Sequence, residues 1–108
     1  MSAPIEQRVI AAVDNLASEA VALLQELVRT PSLTGDEAAA QAIVARIMGQ
    51  IGLEVDVWEP DVADLAPYAE HVGEFETLAG RPNVAGRWRG TGEGKSLILN
   101  GHIDTVEP

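Results

Sequence analysis

The apolar run Leu-Ile-Leu at residues 97–99 is the feature that most constrains the fold of this chain. It shows no alternation of apolar and polar residues, which is typical of an interior strand covered on both faces. Two stretches with helical periodicity precede it, and a strand covered on both faces requires packed layers. We therefore expect an α/β fold with a layered sheet, in which two helices are followed by about three strands.

Residues 4–29 predict a long helix. Apolar residues recur there at steps of three and four, which produces one apolar stripe. Pro4 suits the first helical position. The helix is expected to end at Thr30, because a residue that precedes a proline, here Pro31, avoids the helical region.

A second helix is predicted after a short connector. Thr34 and Glu37 have the spacing of a capping box, in which each side chain bonds the backbone of the other residue. Asp36 and Glu37 also place negative charge where the helix dipole favours it. Gly52 is a natural stop at the other end.

The remaining chain predicts strands around an acidic segment. Residues 53–58 alternate in polarity and predict a strand, and residues 83–89 predict another. Residues 90–94 hold three glycines and predict a hairpin loop before residues 97–99. Residues 59–82 contain three prolines and predict an excursion, with one helical turn at residues 61–65.

Composition excludes several classes of protein. The chain has 108 residues, which suits one small domain. It has no cysteine, so disulfides and zinc–cysteine sites are excluded and any metal must be held by His, Asp or Glu. The formal charge of −10 argues against a nucleic acid partner. No apolar run approaches the ~20 residues that cross a bilayer, and the amino terminus has no secretory signal. We expect a soluble, cytoplasmic protein with no membrane partner.

Candidate chemistry is concentrated just after the apolar run, in His102 and Asp104. Side chains two positions apart on an extended backbone point to the same face, so this carboxylate can reach one imidazole nitrogen. Such a contact orients the ring and leaves its other nitrogen free for a metal. The position at the carboxyl end of a strand is where ligands gather in open α/β sheets. The alternative is a plain hydrogen-bonded pair with no metal.

Other residues that could carry chemistry are better explained as surface or packing residues. His71 lies among acidic residues and is expected to be a surface histidine. Arg87 and Arg89 are expected on a solvated strand face, and Trp58 and Trp88 are expected to pack.

Three segments resemble one known family. Residues 97–106, Leu-Ile-Leu-Asn-Gly-His-Ile-Asp-Thr-Val, resemble the first metal-binding signature of the acetylornithine deacetylase and succinyl-diaminopimelate desuccinylase family of zinc metallopeptidases and deacylases. Residues 28–37 resemble the first connector of that family, and residues 81–86 resemble its second strand. The order and spacing of the segments agree as well.

The resemblance implies that residues 1–108 are the amino-terminal portion of a zinc-peptidase-like catalytic domain. His102 matches a ligand of a dinuclear zinc site, which sometimes works with cobalt, and Asp104 matches the catalytic carboxylate that orients that histidine. The implied reaction is metal-assisted hydrolysis of the amide bond of N-acyl amino acids or small peptides. The other ligands, the general base and the dimerisation and lid domain, through which a homodimer is expected, have no counterpart in these residues.

Two expectations follow from this incompleteness. The isolated chain should not hydrolyse amides, because a catalytic zinc needs about three protein ligands. It should also be marginally stable or aggregate, because an uncovered apolar strand edge pairs with other chains. The alternative to an enzyme is a small acidic interaction module without catalysis, or the product of a pseudogene.

Overall fold

The structure, a computed structural model, describes residues 3–107. The elements in chain order are helix α1 (Ile5–Arg29), helix α2 (Ala38–Gln50), strand β1 (Glu54–Trp58), helix α3 (Val62–Leu65), a 3₁₀ turn (Ala66–Tyr68), helix α4 (Ala69–Val72) and strand β2 (Asn83–Arg87). The chain divides into two compact units, one ending at Thr30 and the other beginning at Pro31.

Helix α1 makes up nearly all of the first unit and confirms the predicted long helix. Pro4 precedes it as the N-cap residue and is not its first helical residue, a shift of one position. Thr30 takes an extended conformation with ψ of 119°, as expected for a residue before proline. None of the residues of α1 is buried.

Helix α2 ends as predicted but begins differently. Gly52 follows the C-cap residue with a φ of +86°, which a residue without a side chain adopts at little cost. The predicted capping box is wrong, because Glu37 makes no side-chain cap bond although it occupies the N-cap position. The side chains of Thr34 and Glu37 instead bind partners far away in sequence.

Strands β1 and β2 form an antiparallel pair, in which Glu54 lies opposite Arg87 and Trp58 opposite Asn83. Helix α2 packs against both strands. Gly86 of β2 lies close to this contact, since a Cβ built on it would lie 2.7 Å from Cδ1 of Leu53 and 2.8 Å from Sδ of Met48. The absence of a side chain at Gly86 therefore lets the strand approach its neighbours.

The acidic segment between the strands folds into consecutive helical turns. The side chain of Asp61 accepts a hydrogen bond from the Ala63 N–H at 2.8 Å and caps α3, which confirms the turn predicted at residues 61–65. The 3₁₀ turn and α4 then continue to Gly73.

The predicted third strand is wrong. Residues 97–99 form no regular structure, and Leu97, Ile98 and Leu99 are 83%, 85% and 89% exposed. A strand is stable only when another strand satisfies its backbone groups, and in residues 3–107 β1 and β2 pair with each other alone. The hairpin loop predicted at residues 90–94 therefore joins no pair of strands. The fold is mixed α/β with a sheet of two strands, not three.

Little of the described chain is buried. Its buried apolar residues are Ala40 and Leu78. So small a core supplies little hydrophobic stabilisation, and marginal stability of the isolated chain stays a prediction. Among residues 3–107, none of the helices has the length and apolar character needed to cross a bilayer.

Candidate functional site

His102 and Asp104 are in direct contact. Nδ1 of His102 lies 2.8 Å from Oδ1 of Asp104, in irregular backbone beyond residue 100. A proton on Nδ1 satisfies this hydrogen bond and leaves a lone pair on Nε2, the arrangement that a metal-ligating imidazole requires. The side chain of His102 is 85% exposed, so Nε2 is open to a ligand.

Asp104 is held from its other side by Thr34. The Thr34 hydroxyl donates a hydrogen bond of 2.7 Å to Oδ2 of Asp104. The hydrogen bonds from Thr34 and then from His102 lower the pKa of Asp104 below its ordinary value, since both favour the charged form. Asp104 is therefore an ionised carboxylate with one oxygen for each partner.

Contacts of Ser32 hold the connector between α1 and α2 beside the segment that carries His102 and Asp104. The buried hydroxyl of Ser32 donates to the carbonyl oxygen of Ile103 at 3.0 Å, and the Thr105 N–H donates to the Ser32 carbonyl at 2.8 Å. Leu33 and Thr105 form a parallel β-bridge. The connector therefore makes the backbone contacts that a neighbouring strand would otherwise make with the segment that carries His102. Sequence reasoning missed this role, because residues about seventy positions apart show no periodic relation.

The buried carboxylate of Glu37 forms an ion pair with the half-buried guanidinium of Arg81. Nη2 of Arg81 lies 2.8 Å from Oε1 of Glu37 and Nε lies 3.2 Å from Oε2, a two-pronged contact, while the Gly35 N–H donates to Oε1 at 2.7 Å. The Arg81 hydrogen bond lowers the pKa of Glu37, and the same bond raises the pKa of Arg81. The prediction that Glu37 serves the helix start is therefore wrong for its side chain. Asp36 donates its backbone N–H to the Leu33 carbonyl at 2.7 Å in a turn.

These groups line one open cleft of about 650 Å³ in the second unit. Its polar lining includes His102, Asp104, Glu37 and Arg81. Its apolar lining includes side chains from the segment between the strands: Leu65, Val72, Phe75 and Leu78. The acidic segment therefore presents apolar side chains to the cleft that contains the histidine.

The remaining predictions for single residues had mixed outcomes. His71 is a surface histidine, as predicted, since its side chain is 71% exposed and its Nε2 lies 3.3 Å from Glu70. Trp58 lines the cleft, but Trp88 is 84% exposed, so the prediction that it packs is wrong. Arg89 follows β2 and pairs with Glu54 at 2.7 Å in solvent.

The donor set fits one position of a metal site. An imidazole oriented by a carboxylate is a suitable nitrogen ligand for zinc. Within residues 3–107, however, no group of three or more His, Asp or Glu side chains lies close enough to hold an ion. These residues therefore fit a single ligand and not a complete site.

The chain is similar to a known deacylating enzyme over most of its own length. It is 30% identical over 86 residues to the succinyl-diaminopimelate desuccinylase of Leptothrix cholodnii, which corresponds to 80% of this chain and 19% of that protein. No protein-family model and no solved structure matches the chain. The similarity is to a hydrolase, and it covers about one fifth of that enzyme's length.

Proposed function

We propose that this chain is the amino-terminal part of a metal-dependent hydrolase of the deacylase type. In this proposal His102 binds one zinc or cobalt ion, and Asp104 orients the imidazole ring of His102. The observation that carries the proposal is the 2.8 Å contact between Nδ1 of His102 and Asp104. Because Nδ1 is engaged in this contact, the exposed Nε2 atom is the one left to bind a metal. The similarity to a desuccinylase supports the same reaction class. The proposed substrates are N-acyl amino acids or small peptides.

The residues of this chain have distinct tasks in that proposal. Asp104 keeps the proton on Nδ1 and thereby the lone pair on Nε2. Thr34 and Ser32 hold the segment that bears both residues. A metal bound there would act as a Lewis acid toward the scissile carbonyl. Further ligands and the general base would come from outside the described residues, and a homodimer would form through a domain that these residues lack.

A metal titration observed by NMR tests the ligand assignment. The chain has two histidines, so the imidazole C–H signals of His102 and His71 can be assigned with one variant each. We expect Co²⁺ to broaden the His102 signals at roughly tenfold lower concentration than the His71 signals, because Asp104 preorganises only one of the rings. Zn²⁺ should shift the same signals.

His71 is a matched control, because it too is exposed and close to a carboxylate. His71→Ala should leave the response of His102 unchanged, and His102→Ala should remove the more sensitive response. If both rings respond at the same metal concentration, His102 is an ordinary surface histidine and the ligand assignment fails.

We also expect the 108-residue chain alone to lack amide-hydrolysing activity with added zinc or cobalt. The reason is that its described residues provide no cluster of three donors. The measurement is amine release from N-succinyl and N-acetyl amino acids, compared with His102→Ala. Activity above that variant would show that the chain builds a working site by itself.

A further inference from the structure

The sequence Asn100–Gly101 lies directly before His102, in backbone that has no regular structure. Both residues are exposed, and within residues 3–107 no hydrogen bond involves the Asn100 side chain or the Gly101 N–H. Apart from Gly101 and its two chain neighbours, no residue has an atom within 4 Å of the point where a Cβ on Gly101 would be. The Asn100 amide and the Gly101 backbone nitrogen are therefore both accessible and free to rotate toward one another.

We infer that Asn100 is a site of spontaneous deamidation that forms isoaspartate. In this reaction the Gly101 nitrogen loses its proton and attacks Cγ of Asn100. A new C–N bond forms, the bond from Cγ to the amide nitrogen breaks, and that nitrogen takes up one proton and leaves as ammonia. Water then opens the succinimide ring at either carbonyl, which produces aspartate or isoaspartate. Glycine favours the attack because it has no side chain to hinder the ring and leaves the backbone flexible.

The other two asparagines of the chain provide internal comparisons. Asn15 lies inside α1 and precedes Leu16, and Asn83 is paired with Trp58 at the start of β2 and precedes a β-branched valine. Regular structure holds each of these backbones away from the geometry of ring closure. A difference in reactivity among the three residues is therefore a direct prediction of the structure.

The reaction would alter the segment that contains His102. Asn100 and His102 both line the cleft. Deamidation adds a negative charge there, and isoaspartate also adds one carbon to the main chain. Asp104 contacts His102 from two positions further along the same segment, so such a product would change the charge and the backbone path beside the imidazole. The modification itself does not depend on the proposed enzymatic function.

The test is to age the purified chain at mildly alkaline pH, digest it and follow each asparagine by mass spectrometry. Deamidation increases the mass of a peptide by about 1 Da, and fragmentation separates isoaspartate from aspartate. We expect Asn100 to react at least about tenfold faster than Asn15 or Asn83, at nearly the same rate in the folded chain and in urea. Asn83 should slow on folding, which verifies that the sample is folded.

Gly101→Ala is the matched variant, because the open space around Gly101 accepts a methyl group without a clash. It should slow the reaction of Asn100 by roughly tenfold and leave Asn15 and Asn83 unchanged. The inference is overturned if Asn100 reacts no faster than Asn83 in the folded chain, or if folding protects Asn100 by tenfold or more relative to urea.

Discussion

Thr34 donates a 2.7 Å hydrogen bond to Oδ2 of Asp104, across seventy positions of sequence. The other oxygen of Asp104 lies 2.8 Å from Nδ1 of His102. One hydroxyl thus restricts the rotation of the carboxylate that orients the imidazole. Ser32 and Glu37 lie on either side of Thr34, and Ile103 and Arg81 respectively hold them in place. The connector that carries the Thr34 hydroxyl is therefore fixed at both ends.

We predict that Thr34→Val reduces the fraction of neutral His102 that carries its proton on Nδ1. Without the Thr34 hydroxyl, the carboxylate of Asp104 is less restricted. The neutral ring then shifts toward the tautomer with its proton on Nε2, which histidine prefers in water. The bond is exposed, so we expect a change of roughly two- to fivefold, equivalent to a net hydrogen bond of about 0.5–1 kcal/mol. Nitrogen-15 chemical shifts of the ring, measured where it is neutral, report the ratio.

Thr34→Ser keeps the hydroxyl and should restore the original ratio. If Thr34→Val and Thr34→Ser have the same ratio as the parent chain, Thr34 does not position Asp104. The ring of His71, which has no contact with this network, serves as the reference signal in each sample.

The Glu37–Arg81 ion pair should contribute to stability. The side chain of Glu37 is 9% exposed, so Arg81→Ala leaves a buried charge without its cation. We expect a loss of about 2–3 kcal/mol in the free energy of unfolding. Glu37→Gln should cost less, about 1 kcal/mol, because the amide oxygen can still accept from Gly35.

Urea unfolding of the two single variants and the double variant measures this coupling. Arg89→Ala is the control, because it removes an ion pair that lies in solvent and should leave the urea midpoint unchanged. If the losses in unfolding free energy of the two single variants sum to that of the double variant, the interaction between Glu37 and Arg81 does not contribute to stability.

Acid should destabilise the second unit. The Arg81 hydrogen bond holds the pKa of Glu37 below its ordinary value of 4.5, so this group stabilises the fold above that pH and loses its contribution as the pH falls below it. Asp104 acts in the same direction below its ordinary value of 3.8, because Thr34 and His102 lower its pKa. Arg81 has a raised pKa and stays charged throughout this range.

The measurement is the thermal midpoint as a function of pH. In the parent chain the midpoint should fall as the pH drops below 4.5, and Glu37→Gln should make that fall shallower. If the thermal midpoint of Glu37→Gln falls equally steeply with pH, the acid sensitivity comes from other carboxylates.

Gly86→Ala should destabilise the contact between α2 and the sheet. The added Cβ would lie 2.7 Å from Cδ1 of Leu53 and 2.8 Å from Sδ of Met48, which must both move. Because these atoms belong to flexible side chains, we expect a cost of about 1–2 kcal/mol, not a loss of folding. Urea unfolding measures the cost, and Gly94→Ala, where the added Cβ meets nothing within 4 Å, is the control. Equal effects of the two substitutions would contradict the close approach.

Local order along the chain determined much of the fold in advance. The spacing of apolar residues predicted α1 and α2, alternation predicted β1, and Asp61 marked the start of α3. The contact between His102 and Asp104 also belongs to this group, because the two-residue spacing in the sequence predicted that these side chains would meet. Such features depend on neighbours in sequence, which the sequence displays directly.

Tertiary structure alone decided how distant residues combine. Thr34 and Glu37 have the pattern of a capping box, yet Asp104 and Arg81 attract their side chains, because a charged partner makes a stronger hydrogen bond than a backbone N–H does. The apolar run at residues 97–99 matched an interior strand, but a strand exists only where another backbone pairs with it. Sequence determined which residues can pair locally, and the three-dimensional neighbours determined which of those pairings formed.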